Sequence, residues 1–374
     1  MINNGKINNF FNEVVEDVGF YDDLFIVLVT HLVQDREYFI ESLSKIAEVG
    51  LIIPKPNSIV EPIEEKLSNK YRIFKVKRNE IEKNPTLTLD KIDSLRNGKK
   101  VLILDIGGYF SKVVKFCKGK FGNKFVGIIE DTENGMQKYL TSKEYNEATI
   151  FSVARSSLKN AEDFLVGSSI CFSAESVIRN ANEIFTSKKA LVLGYGKVGY
   201  SIARHLSERN MSVYVYDMNY IRLLEAKSHG YNTLTRKESL KIADLIFCAT
   251  GNKSIIENDI FFLKDECIIF TSTSSDDEIS LPNGILEYER LEKNFQHITS
   301  LTTKEGNRYH LCNSGNAVNF LHGASVGQFI FVIQSEILYT IKSIMKLNGE
   351  VGKIFENNEK DRGKLASIWL KYFN

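Results

Sequence analysis

The stretch KKALVLGYGKVGYSIARHL (188–206) carries Gly194, Gly196 and Gly199 at the spacing G-x-G-x-x-G. Such a turn, set between a short buried strand and a helix, is suited to binding phosphate. The first glycine allows the tight turn, the second lets the backbone approach a pyrophosphate, and the third lets the helix pack closely on the strand. Lys197 and Val198 open that helix, so their N–H groups face the phosphates. A second strand, MSVYVYD (211–217), ends in Asp217, 23 residues after Gly194. A carboxylate there accepts hydrogen bonds from ribose hydroxyls and repels a 2′-phosphate, which favours NAD over NADP. Thr250 and Gly251 close a third strand, ADLIFCATG (243–251), and join the cofactor-binding set; a fourth strand is CIIFTST (267–273). Glycine turns also occur in sheets that bind nothing, and S-adenosylmethionine can use a similar one. Strand, turn, helix, strand and acid in this order point to NAD.

Other residues carry weaker signals. In VARSSLKNAED, Lys159 and Asp163 lie four apart, so on a helix they share one face. Read alone, they are equally a surface ion pair. The six histidines (His31, His205, His229, His297, His310, His322) have no metal-ligand spacing, and His205 and His229 read as surface positions of the cofactor block. Ser156, Ser157, Ser168 and Ser169 do not stand in a nucleophile elbow. The five cysteines are scattered, with no C-x-x-C pair, which argues against a zinc site or a disulfide framework and for a reducing cytoplasm.

These residues need a scaffold, and its outline is legible. A chain of 374 residues has room for two domains. A net charge of +1 offers no electrostatic footprint for nucleic acid or an anionic membrane. No apolar run approaches the roughly 18 residues of a membrane span, and the N-terminus lacks a signal-peptide core. Apolar runs at 24–30, 51–56, 71–76, 100–108, 125–131 and 148–153 alternate with helical stretches, including Thr30–Val49, which argues for βαβ units and a mostly parallel sheet. IIPKPNSIVEP, with three of the five prolines, reads as a surface loop. The expected fold is α/β with two domains: a Rossmann-type doubly wound cofactor domain and an α/β substrate domain. The substrate domain takes residues 1–160 and is completed by 325–350, the NAD-binding domain takes 170–322, and 351–374 form a C-terminal helical tail.

GYGKVGYSIARHL, VYVYDMNYIRLLEAKSHGY and LIFCATGNKSII together resemble the cofactor domain of the adenosylhomocysteinase (S-adenosylhomocysteine hydrolase) family. GNAVNFLHGASVGQFIFVIQSEIL resembles the segment in which that family's chain returns to the substrate domain. THLVQDREYFIESL, VLILDIGG, GIIEDTENG and VARSSLKNAED extend the likeness, in order, over most of the chain. The resemblance implies tightly held NAD that oxidises a ribose 3′-hydroxyl, acidifies the C4′ proton, permits loss of a 5′ substituent and returns the hydride. It implies a cleft between the domains that controls water, and a homo-oligomer that is at least a dimer. It matches Lys159 and Asp163 to groups that grip and polarise ribose hydroxyls, and His31 to a histidine on the leaving-group side. Asp131 and Thr132 match positions near the ribose and the nicotinamide, and Asn319 matches an asparagine on the nicotinamide amide.

Departures from the family pattern are equally specific. Its pair of aspartates before Gly-Gly is here Asp105-Ile106, so the catalytic acid is replaced by Ile106 unless Asp105 is displaced into that role. Its cofactor-domain histidine falls on Ser274. Its Gly-His-Pro is Ser325-Val326-Gly327, with His322 four residues earlier than Val326. Its threonine triplet is Thr132-Glu133-Asn134, its adenine-side threonine and glutamate are Val33 and Asp35, and its C-terminal tail motif is missing. Groups for elimination and rehydration are lost, while those for hydroxyl oxidation remain. The expectation is a cytoplasmic NAD-dependent enzyme acting on a small nucleoside or ribose-containing substrate by 3′-oxidation. Elimination or hydrolysis of a 5′ substituent is left open. The alternatives are a catalytically silent NAD-binding regulator and a simple NAD-dependent dehydrogenase or epimerase.

Overall fold

In a computed structural model, residues 3–273, 275–280, 286–289, 297–303, 306–347 and 349–374 are described. The chain forms two compact units, Met1–Lys159 with Gly327–Asn374, and Asn160–Val326. Among the described residues, no helix is long and apolar enough to cross a membrane.

The first unit is built on a parallel sheet of β1 (Leu24–Leu32), β2 (Glu48–Ile59), β3 (Lys100–Asp105), β4 (Phe125–Glu130), β5 (Ile150–Ser152) and the short strand Ile354–Phe355. Their order across the sheet is Ile354–Phe355, β5, β4, β3, β1, β2. Parallel strands covered on both faces must be apolar on both, because the side chains alternate. In β1, Leu24, Ile26 and Leu28 enter one core, and Phe25, Val27 and Val29 enter the other.

Three local expectations fail here. The helix expected over Thr30–Val49 is confined to Arg36–Ser44, with strand on either side. The proline stretch expected as a loop continues β2, pairing Thr30 with Pro54 and Leu32 with Ile59. It can do so because β2 is an edge strand, where a proline costs no ladder hydrogen bond on its outer side. YRIFKV, expected as a strand, makes only a single bridge, Ile73 to Ile52.

The C-terminal residues do not stand apart as a tail. Ile354–Phe355 extend the first sheet, and the helix Glu359–Phe373 packs on the helix Asn4–Val18. Phe373 lies 5.3 Å from the Phe10 ring, and Lys371 pairs with Glu13 at 2.6 Å. The helix Phe329–Lys346 carries buried Glu336, which pairs with the equally buried Arg362 at 3.0 Å.

The second unit centres on β6 (Lys189–Leu193), β7 (Ser212–Tyr216) and β8 (Leu245–Cys248), with β6 between the other two. Beyond β8 come Cys267–Thr271, Arg308–Cys312, Ile298–Thr303 and Leu286–Glu289, the last two pairs of neighbours antiparallel. Ala190 and Val192 face one core, Leu191 and Leu193 the other. The helix Lys159–Asn180 carries the chain from one unit to the next. Each fully buried aliphatic side chain in these cores contributes roughly 1.5–3 kcal/mol.

Candidate active site and cofactor site

At the carboxyl end of β6 the backbone turns through Gly194 with φ +95°. A Cβ on Gly194 would meet the Ala249 carbonyl oxygen at 2.8 Å, and one on Gly199 would meet the Gly194 carbonyl oxygen at 1.9 Å. These glycines therefore set the closest approach of helix to strand. Gly196 differs: the nearest atom to its built Cβ is Arg222 Nη1 at 3.7 Å, so the backbone there is open on the side a pyrophosphate would approach. The helix Lys197–Ser207 begins immediately afterwards, directing the N–H groups of Lys197 and Val198 to the same place.

Asp217 follows β7 and is largely buried. Its Oδ2 accepts from Tyr195 N–H at 2.7 Å and its Oδ1 from Asn219 N–H at 2.8 Å, which ties the ribose acid to the glycine turn. Tyr195, inside the turn, is buried and its hydroxyl bonds His229 Nδ1 at 2.8 Å. His229 lies at the surface, as expected, and its ring also holds the Tyr195 hydroxyl of the motif. The His205 ring lies 4.9 Å from that of Phe164, tilted by 50°, and bonds the Ser201 carbonyl oxygen.

Thr250 and Gly251 follow β8 and are held by Glu278, a residue the sequence reading missed. Its carboxylate accepts from Gly251 N–H at 3.0 Å, from Thr250 Oγ1 at 3.1 Å and from Ser254 Oγ. Burial raises its pKa. Asn319 is buried, and its Oδ1 has no hydrogen-bond partner among the described residues. A buried orphan acceptor is costly unless a ligand satisfies it, and an amide N–H₂ such as that of nicotinamide would. The open cradle at Gly196, the acid at Asp217 and the orphan acceptor at Asn319 fit NAD.

In the first unit, the carboxyl ends of β1, β3 and β4 gather His31, Ile106 and Asp131. Lys159 Nζ lies 2.9 Å from Asp131 Oδ1, both largely buried. Asp163 stands one turn further along the helix Lys159–Asn180, partly buried and already in the second unit. His31 Nδ1 is 2.5 Å from Ser58 Oγ, whose hydroxyl donates to the Lys55 carbonyl at 3.2 Å. Ser58 thereby accepts from Nδ1–H, which puts the ring's lone pair on Nε2. Burial, with the Lys55 and Arg36 cations, holds this imidazole well below the usual histidine value, so it is neutral.

Thr132 caps the helix Glu133–Ser142. Its hydroxyl donates to Glu130 at 2.6 Å and accepts from Gly107 N–H at 3.0 Å, so it braces the Gly107–Gly108 turn. Glu130, also missed, accepts from Gly107, Gly108 and Thr132 N–H groups. Burial, then the Asp105 carboxylate, pushes it up to about 8. The signal was present: an acid ends the apolar run of β4, and such an acid must find donors.

Asp105 does not take the place of the missing acid. Along β3 its side chain points to the face opposite Leu104, where it accepts from Tyr109 and Phe110 N–H and from Tyr139 hydroxyl at 2.6 Å. Ile106 lines a small pocket with Leu28, Arg36, Asp105, Ile129 and Asp131. Nor is His322 a substitute within its unit, since it bonds Ser173 Oγ at 3.0 Å and Ser176 Oγ at 3.2 Å. Val326 ends the second unit. Ser274 lies outside the described residues. All five cysteines are free and buried, and no group of metal-ligating side chains occurs among the described residues.

Fold and glycine turn together define an α/β protein with a Rossmann-type NAD-binding domain. Residues 168–325 match the family described as S-adenosyl-L-homocysteine hydrolase, NAD binding domain. The chain is 24% identical to the adenosylhomocysteinase of Thermotoga maritima over 355 residues, covering 91% of this chain and 86% of that protein. It is 25% identical to the adenosylhomocysteinase of Sulfolobus acidocaldarius over 340 residues, 88% of this chain and 80% of that one. Among solved structures, a glyoxylate reductase from Paecilomyes thermophila overlaps 88% of this chain and 97% of its own at 12% identity, with a TM-score of 0.46. Residues 168–325 thus carry the likeness of that family's NAD-binding domain, and NAD is the cofactor.

Proposed function

We propose that the protein is an NAD-dependent enzyme that oxidises the 3′-hydroxyl of a nucleoside or another ribose-containing small molecule. The carrying observation is the ion pair of Lys159 with Asp131 at the strand ends that also bear neutral His31. An ammonium and a carboxylate held 2.9 Å apart offer a donor and an acceptor to vicinal hydroxyls. NAD, when bound through Gly194, Gly196, Lys197, Val198, Gly199, Asp217, Thr250, Gly251 and Asn319, supplies the hydride acceptor. Lys159 polarises the hydroxyl as a hydrogen-bond donor and the Asp131 carboxylate receives its proton as the hydride leaves, with Asp163 on the next turn of the helix orienting the diol. Thr132 supports this arrangement from the Gly107–Gly108 turn. His31, neutral with its lone pair on Nε2, is suited to moving a proton on the leaving-group side.

Ile106 and the engaged His322 favour a reaction that stops at oxidation, or returns the hydride with altered stereochemistry, over elimination of a 5′ substituent. The same reading makes the protein a cytoplasmic homo-oligomer, at least dimeric. The test is the absorbance of reduced nicotinamide on the purified protein when adenosine or S-adenosylhomocysteine is added. Wild type is expected to reduce its bound NAD, and Lys159→Ala to bind NAD normally without reducing it. Unchanged reduction in that variant refutes the role of Lys159. A cofactor that stays oxidised across a nucleoside panel moves the assignment to a silent NAD-binding regulator.

A further inference from the structure

The ribose acid of the cofactor site is not alone. Arg222 stands on the first turn of the helix Tyr220–Ser228, five residues after Asp217. Its Nη1 lies 3.5 Å from Asp217 Oδ2 and 3.7 Å from the position of a Cβ on Gly196. The guanidinium therefore stands between the acid that meets the adenosine ribose and the glycine that meets the pyrophosphate. Its side chain is 49% exposed, against 9% for Asp217, so the charge nearer to solvent is the positive one. Both Asp217 oxygens already accept a backbone N–H, which fixes the carboxylate and leaves the arginine as the movable partner.

In a site built around an unaccompanied acid, a 2′-phosphate meets uncompensated negative charge, and that is why the acid selects NAD. Here a guanidinium cancels that charge at the same point. Its planar fork of N–H donors matches a phosphate, and the contact with Asp217 engages only one end of it. We propose that the cofactor site accepts the 2′-phosphorylated dinucleotide NADP as well as NAD, with Arg222 supplying the counter-charge to the phosphate. The inference rests on the NAD-site reading and goes beyond it.

Isothermal titration of the full chain with NAD and with NADP tests it without reference to turnover. Wild type is expected to bind the two within about tenfold of each other. Arg222→Ala should weaken NADP by about 10- to 100-fold while moving NAD by less than about threefold. Arg222→Lys, which keeps the charge but not the fork, should restore part of the loss. Tight NAD binding by wild type with NADP more than about a thousandfold weaker, or an unchanged affinity ratio in Arg222→Ala, overturns the proposal and leaves the NAD site standing. Failure of wild type to bind either dinucleotide overturns both.

Discussion

Gly199→Ala and Gly196→Ala each add one methyl group, at positions three residues apart in the same turn, yet they should fail differently. At Gly199 the added Cβ would lie 1.9 Å from the Gly194 carbonyl oxygen, where ordinary contact begins at 3.4 Å, so about 1.5 Å of retreat is required. Both the obstructing atom and the residue itself are backbone, so no side chain can yield. Overpacking of this kind costs about 1–3 kcal/mol, only partly offset by the roughly 1 kcal/mol by which alanine favours a helix over glycine. The same retreat carries the N–H groups of Lys197 and Val198 away from the phosphates. Hydrogen bonds to charged groups contribute about 1.5–3 kcal/mol each, so NAD affinity should fall at least about tenfold. At Gly196 the Cβ has open space and φ is −79°, which alanine adopts without strain. Gly196→Ala should therefore melt within about 0.5 kcal/mol of wild type and still lose NAD, because the methyl occupies the path of the pyrophosphate. Chemical denaturation and isothermal titration on both variants separate the two effects. A Gly199→Ala protein with wild-type stability and wild-type NAD affinity would show that the close approach does not matter, and the reasoning about this turn would be wrong.

Two further outcomes are expected. His31 is held below the usual histidine value, so its neutral state contributes stability that is full above about pH 6.5 and is lost as the pH falls through the depressed folded value. His31→Asn should flatten the fall in melting temperature between neutral and mildly acidic pH, and an equally steep fall in that variant removes His31 as its source. Asn319→Leu deletes a buried acceptor that has no partner among the described residues, so stability should hold or rise while NAD affinity falls. A loss of stability with unchanged affinity would make Asn319 a packing residue.

The order strand, glycine turn, helix, strand, acid was legible at once, because phosphate and ribose recognition depends on local backbone geometry within a short span. The alternation of strands and helices was legible for a similar reason, since each element's apolar pattern is local. Side-chain identity at single positions was not enough elsewhere. Asp105 and Ile106 are neighbours in sequence, but only the folded structure shows the Asp105 carboxylate spent on Tyr109, Phe110 and Tyr139, which keeps it from replacing the missing acid. His322 reads as a possible replacement base, yet within its unit its ring is engaged by Ser173 and Ser176, about 150 residues away in sequence.

By itself the sequence determined the fold class, the cofactor motif and the absence of the family's second aspartate and histidine pair at the matching positions. Tertiary structure alone decided that prolines 54 and 56 could stay in a strand, by placing β2 at an edge where their missing N–H groups cost nothing. It alone decided that Ile354–Phe355 complete the first sheet, that Glu278 holds the Thr250–Gly251 loop, and that Arg222 meets Asp217. The physical reason is common to all four. Strand position, buried-acid partners and charge pairs depend on neighbours brought together by packing, and neither period nor spacing along the chain encodes them.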